Sequence, residues 1–127
     1  MAKKIMIVED EPMVLSLIEA VLGSEGYDNV CCFNNPVDAL SAIEQGERPA
    51  LIVSDYNMPK MNGVVFLNTV RTLFPDMQAL IVTGDPGALS RDDMISFPVL
   101  EKGGMNFHTR LITCVAHELE LERLKVA

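Results

Sequence analysis

Residues 51–63, LIVSDYNMPKMNG, decide the fold, because an apolar run feeds directly into an acid and then into turn-forming residues. Bounded by Pro49 before it and by Pro59 and Gly63 after it, the run reads as a strand buried on both faces. Asp55 ends that strand. In an open parallel sheet ligands bind in the crevice outside the carboxyl ends of the strands, where an acid has the solvent and partners that it would lack mid-strand. Asn57, Pro59, Asn62 and Gly63 supply loop chemistry, and residues 64–67 (VVFL) open a helix. Taken alone, Asp55 also reads as a turn cap, a role that Asp often fills.

The flanking segments repeat the pattern. Residues 4–8, KIMIV, form a second buried-strand candidate that runs into Glu9-Asp10-Glu11. Pro12 suits a first helical turn, and Val14, Leu15, Leu17, Ile18, Val21 and Leu22 recur at helical spacing until Gly23 and Gly26. Residues 28–33 fit a short strand, and Asn35-Pro36 is an N-cap with a first-turn proline. It opens a helix over 37–45 with Ala39, Leu40 and Ile43 inward and Gly46 as its stop. Beyond the central strand, the helix over 64–73 leads through Pro75-Asp76 into a buried strand, 77–82, that ends in Thr83-Gly84-Asp85.

Residues 85–97 hold a poor helical stripe crowded by Pro86, Gly87 and Pro98; Ser90 with Asp93 caps one or two turns at most. A short strand at Val99-Leu100 runs into Glu101-Lys102. The last helix spans 107–124, with Phe107, Leu111, Ile112, Val115 and Leu119 on one face and Glu118, Glu120, Glu122, Arg123 and Lys125 making its far end polar. Five strand–helix alternations imply an α/β fold with a doubly wound, five-stranded parallel sheet. Glu9, Asp10, Asp55, Thr83 and Lys102, scattered in sequence, then meet on one edge of it, which favours a site over unrelated turns.

The 127 residues, 49% of them hydrophobic, suffice for one domain over 1–127 with a real core. A net charge of -8 argues against direct binding to nucleic acid or anionic membranes. No apolar run approaches the roughly 20 residues of a membrane span, and the start lacks a signal peptide, so a cytoplasmic location is expected. Three cysteines, two of them adjacent, fit small core hydrophobes in a reduced compartment better than a disulfide framework.

Three carboxylates within about 5 Å repel by roughly 3 kcal/mol per pair at an effective dielectric near 20. Lys102 offers one compensating charge, and a hard divalent ion such as Mg2+ supplies the rest while leaving room for phosphoryl oxygens. An aspartate can act as nucleophile and form an acyl phosphate, with metal and lysine neutralising charge and a threonine hydroxyl donating to a phosphoryl oxygen.

These residues give the chain a clear resemblance to the receiver domain of two-component response regulators. Glu9-Asp10 resemble the acidic pair after the first strand, Asp55 the phosphoacceptor, Thr83 the switch hydroxyl and Lys102 the invariant lysine. The Asp-x-x-Met-Pro-x-x-x-Gly pattern of Asp55, Met58, Pro59 and Gly63 is highly specific in this context. The resemblance implies a flavodoxin-like sheet of order 2-1-3-4-5, a Mg2+ site completed by the Asn57 carbonyl, and a phosphoryl group taken from a phosphohistidine. The donor would be a sensor histidine kinase or a histidine phosphotransfer protein. An output protein, or an output domain absent from this chain, would receive the signal. Apart from its own phosphorylation and dephosphorylation, no catalysis is implied.

Two departures stand out. Val99 occupies the place of the family's switch aromatic, and Gly103-Gly104 follow Lys102 where proline is usual, after a Thr83-to-Lys102 interval shorter than typical. A rival reading is therefore a pseudo-receiver that acts as a phosphorylation-independent interaction module. A phosphohydrolase with an Asp nucleophile would need a second acid at Asn57.

Overall fold

The computed structural model describes residues 3–126. Five strands, β1 (Ile5–Val8), β2 (Val30–Phe33), β3 (Leu51–Asp55), β4 (Gln78–Thr83) and β5 (Val99–Glu101), form one parallel sheet in the order β2-β1-β3-β4-β5. The expected doubly wound fold and strand order are borne out.

Five helices connect the strands: α1 (Pro12–Ser24), α2 (Pro36–Glu44), α3 (Gly63–Leu73), α4 (Arg91–Ser96) and α5 (Phe107–Val126). Their starts follow from local chemistry. The Asn35 side chain accepts from Asp38 N–H at 2.8 Å, and Asn62 accepts from Val65 N–H at 2.9 Å, each satisfying a donor that a helix leaves orphaned. Ser90 and Asp93 close a reciprocal capping box on α4, which runs only six residues behind a 3-10 turn at Pro86–Ala88.

The two-residue period of the strands divides the core in two. Ile5, Ile7, Leu51, Val53, Leu80, Val82 and Leu100 pack with Ile18, Leu22, Leu111 and Val115 of α1 and α5. Met6, Val8, Ile52, Ala79 and Ile81 pack on the other side with Ile43, Phe66, Val70 and Phe97. The three cysteines are free thiols packed at the margins of these clusters.

Two sequence assignments are corrected. Leu17, at core spacing on α1, is 50% exposed, because the buried stripe there narrows to Ile18, Val21 and Leu22. Glu118, expected on a polar helix end, is only 4% exposed and accepts a 2.6 Å hydrogen bond from the Gln78 side-chain amide at the start of β4. An acid can occupy the inner face of α5 here because β4 begins with an amide instead of an apolar residue.

Candidate functional site

Register brings the acids together. Val8 of β1 pairs with Ser54 of β3, so Glu9 and Asp55 leave neighbouring strands at the same height. From there the chain turns to α1 on one face and α3 on the other. Strand order reverses between β1 and β3, and that divergence opens the crevice in which such sheets bind ligands. On the far side Asp55 pairs with Val82, Thr83 with Glu101, and Lys102 N–H donates to the Thr83 carbonyl at 2.7 Å. Four strand ends thus deliver Glu9, Asp55, Thr83 and Lys102 to one edge.

Lys102 is the electrostatic centre. Its Nζ lies 3.0 Å from Asp55 Oδ1, 3.2 Å from Glu9 Oε1 and 4.0 Å from Glu11 Oε1. Burial would lower its pKa, but the contacts with Asp55 and Glu9 outweigh burial and hold the ammonium above its ordinary value. Burial is also the largest influence on the acids. It pushes Glu9 up to about 7, with the Asp55 charge adding and Lys102 opposing. The Asp55 carboxyl is likewise raised by burial and by the Asp10 charge, against the pull of Lys102 and a hydrogen bond from the Asn57 backbone N–H.

One oxygen each from Glu9, Glu11 and Asp55 lie within 4.8 Å of one another. The sequence reading expected Asp10 in this trio instead of Glu11. Asp10 acts on Asp55 as a nearby charge, while its own Oδ1 is buried with no hydrogen-bond partner among the described residues. Glu9 Oε2 is buried and unpartnered in the same way. Glu11 stands in the acidic run after β1, but the family pattern singles out only Glu9 and Asp10; three-dimensional placement shows where the Glu11 side chain goes.

The β3–α3 loop is tightly wound. Gly63 N–H donates to the Tyr56 carbonyl at 2.8 Å, and Lys60 adopts a left-handed backbone, φ 75°. Asn57 is exposed in this loop, two residues beyond the nucleophile candidate. Thr83 is fully buried, and its hydroxyl oxygen accepts from Asp85 N–H at 3.1 Å, which ties it to its own loop.

Gly103 and Gly104 both take left-handed backbone, φ 72° and 71°. Proline, locked near -65°, cannot adopt it, so the departure after Lys102 has a conformational cause. Arg110 fastens the turn by donating to the carbonyls of Glu101 and Gly103 at 3.1 and 2.8 Å. Val99 pairs with Ile81 in the sheet and packs half-buried against the α3-side core.

Comparison with known proteins agrees with this geometry. The model of the response regulator receiver domain matches residues 5–96, ending before Val99 and Lys102. A chemotaxis protein CheY homolog of Campylobacter jejuni is 29% identical over 86 residues, 66% of each chain. The regulator BvgA of Bordetella pertussis is 27% identical over 89 residues, 70% of this chain. That match covers 42% of BvgA, so the chain spans less than half of that relative's length. The CheY-like receiver domain from Methanospirillum hungatei, 24% identical, superposes with a TM-score of 0.84 over 98% of this chain and 99% of its own, and so shares the fold beyond the family match, through β5 and α5. Among the described residues no helix is long and apolar enough to cross a membrane.

Proposed function

The chain belongs to the response regulator receiver domain family, and from that premise we propose that Asp55 accepts a phosphoryl group from a phosphohistidine. The Asp55 carboxylate oxygen attacks phosphorus, the P–N bond breaks, and its electron pair leaves with the imidazole, giving an acyl phosphate. Lys102 neutralises charge on the moving group, and the Thr83 hydroxyl donates to one phosphoryl oxygen. The observation that carries this reading is the 3.0 Å contact between the buried Asp55 and the partly solvated Lys102 at the end of the central strand.

The residues fit a hard divalent cation. Every side-chain donor is an oxygen, and Glu9 Oε2 and Asp10 Oδ1 are buried without partners among the described residues. Asp10, Asp55 and the Asn57 carbonyl would hold Mg2+, with Glu9 behind them. When bound, the cation offsets charge on the phosphoryl oxygens.

Receiver domains signal between histidine kinases and output domains. For this chain the donor would be a sensor kinase or a phosphotransfer protein in the cytoplasm, and phosphorylation would change partner binding through the loop after Thr83. An apolar cleft beside Lys102, lined by Val14, Leu17, Val21 and Phe107, supports the docking of a donor protein there. We take residues 1–127 as one receiver domain.

The test is mass spectrometry after incubation with a small phosphodonor and Mg2+. One base-labile phosphoryl group mapped to Asp55 supports the proposal; no uptake sinks it and favours the rival module. That rival draws support from Val99 and from an α4 of only six residues, since both alter the region that would relay phosphorylation.

A further inference from the structure

Glu11 stands where α1 begins, with extended backbone and its carbonyl accepting from Leu15 N–H at 3.0 Å. An acid at such a position ordinarily folds its carboxylate back onto the free N–H groups of the first turn. Here the side chain makes no capping hydrogen bond, and Pro12 removes one of those donors. The carboxylate reaches outward over the crevice, where it joins Glu9 and Asp55 within 4.8 Å. Its own backbone N–H donates to Glu9 Oε1 at 3.4 Å, so the buried acid holds the exposed one in place.

The cluster has an open demand for a cation. One ammonium, Lys102, faces all three carboxylates. Glu9 is 1% exposed and ends inside the cluster, yet its Oε2 has no partner among the described residues. A buried carboxylate oxygen without a donor is a strong local request for positive charge.

We propose that Glu11 is a direct ligand of the divalent cation, adding a solvent-facing carboxylate to the set supplied by the strand ends. The proposal rests on the reading of this edge as a cation site. The Glu11 side chain is 67% exposed, so it would bind the ion from the solvent side while Asp55 binds it from the sheet edge.

Mn2+ binding by the full chain, followed from the paramagnetic signal of the free ion at physiological ionic strength, tests this without any phosphorylation readout. Four proteins are compared: the parent, Glu11→Gln, Asp55→Asn and Glu25→Gln. Glu25 lies at the opposite end of α1, roughly 20 Å away at 1.5 Å per residue and beyond a screening length of about 8 Å, so its variant removes the same charge from outside the cluster. Glu11→Gln should weaken Mn2+ binding by about tenfold, the scale of loss for groups that shape a metal site, and Glu25→Gln by less than about twofold. If Asp55→Asn loses binding while Glu11→Gln behaves like Glu25→Gln, Glu11 is no ligand and the proposal falls, although the cation site stands. If Asp55→Asn binds like the parent, the underlying site reading fails, and this proposal with it.

Discussion

Lys102 Nζ meets Asp55 Oδ1 at 3.0 Å although the lysine side chain is 17% exposed and the aspartate 3%. Burial raises the Asp55 carboxyl, and the lysine pulls against that rise; it would also stabilise a phosphoryl group on the candidate nucleophile. The two partners therefore have opposite roles in stability. Asp55→Asn removes a buried charge from a repelling cluster and should raise the melting temperature in metal-free buffer, while abolishing phosphoryl uptake. Lys102→Met leaves Glu9 and Asp55 without their cation and should cost about 2 kcal/mol, below the 3–5 of a fully buried pair because Lys102 is partly solvated. Calorimetry and phosphate labelling of both variants check this, and equal signs of the two stability changes would contradict it.

Acidification should stabilise the metal-free protein. The folded Glu9 carboxyl titrates at about 7 against an ordinary 4.5, so the folded state holds a proton that the unfolded state has released between those values. Stability present below pH 4.5 is then lost as pH rises towards 7, by up to about 1.4 kcal/mol per pH unit for one proton. Asp55, also raised, acts in the same direction, and Lys102, raised from 10.5, contributes nothing in this window. The melting temperature in chelator should therefore be higher at pH 5.5 than at pH 8. Mg2+ selects the ionised acids, so it should shrink that difference and, at ten times its Kd, add about 1.4 kcal/mol at the higher pH. A flat profile in chelator, or a Mg2+ response reproduced by NaCl, would leave only diffuse screening.

Gly63 should tolerate no side chain. A Cβ there would overlap the Asp55 carbonyl oxygen and approach the Asp55 carbonyl carbon and Tyr56 Cα, both at 3.1 Å. All three are backbone atoms, so α3 must move away from the end of β3 to make room. Gly63→Ala should cost about 1–3 kcal/mol and slow labelling of Asp55. Gly23→Ala is the contrast: its Cβ meets nothing within 4 Å, and a helical Gly→Ala change should stabilise by about 0.4–1 kcal/mol. Urea unfolding of the pair separates local crowding from a general effect of alanine.

The sheet was legible because buried parallel strands are written as short apolar runs, most of them ending in acids or hydroxyls, and because Asn35 and Ser90 announce helix starts; Asn62, assigned to the loop, turned out to cap α3. Strand order came from resemblance, since nothing in an apolar run names its neighbour. Sequence placed Lys102 and the acids on one edge, but not that Glu11, one peptide beyond Asp10, also converges there, because that depends on the turn into α1. Glu118 was misread for a related reason. Its burial depends on Gln78, distant in sequence, and helical periodicity carries no information about such a partner.

Phosphorylation should be relayed by backbone movement between Thr83 and Phe97. Val99 is β-branched and half-buried, so it lacks the alternative rotamers and the surface with which an aromatic could swing inward. The preceding segment is built to move. Six helical residues are too few to hold a helix without packing, and Met94 and Ile95 are 47% and 76% exposed. Its far end is fixed, because Phe97 is 1% exposed beneath the Arg71 guanidinium, 4.4 Å away, and Arg71 also donates to the Ser96 carbonyl at 2.8 Å. Its near end hangs on the bond from Asp85 N–H to the Thr83 hydroxyl, the same hydroxyl that would turn to a phosphoryl oxygen. Hydrogen exchange with and without a phosphoryl mimic on Asp55 should therefore change over residues 84–96 and stop at Phe97. The change should vanish in Thr83→Ala, which keeps the strand but removes the link. Exchange altered only in the loop over 56–62, with 84–96 indifferent, would show that the signal leaves by another route.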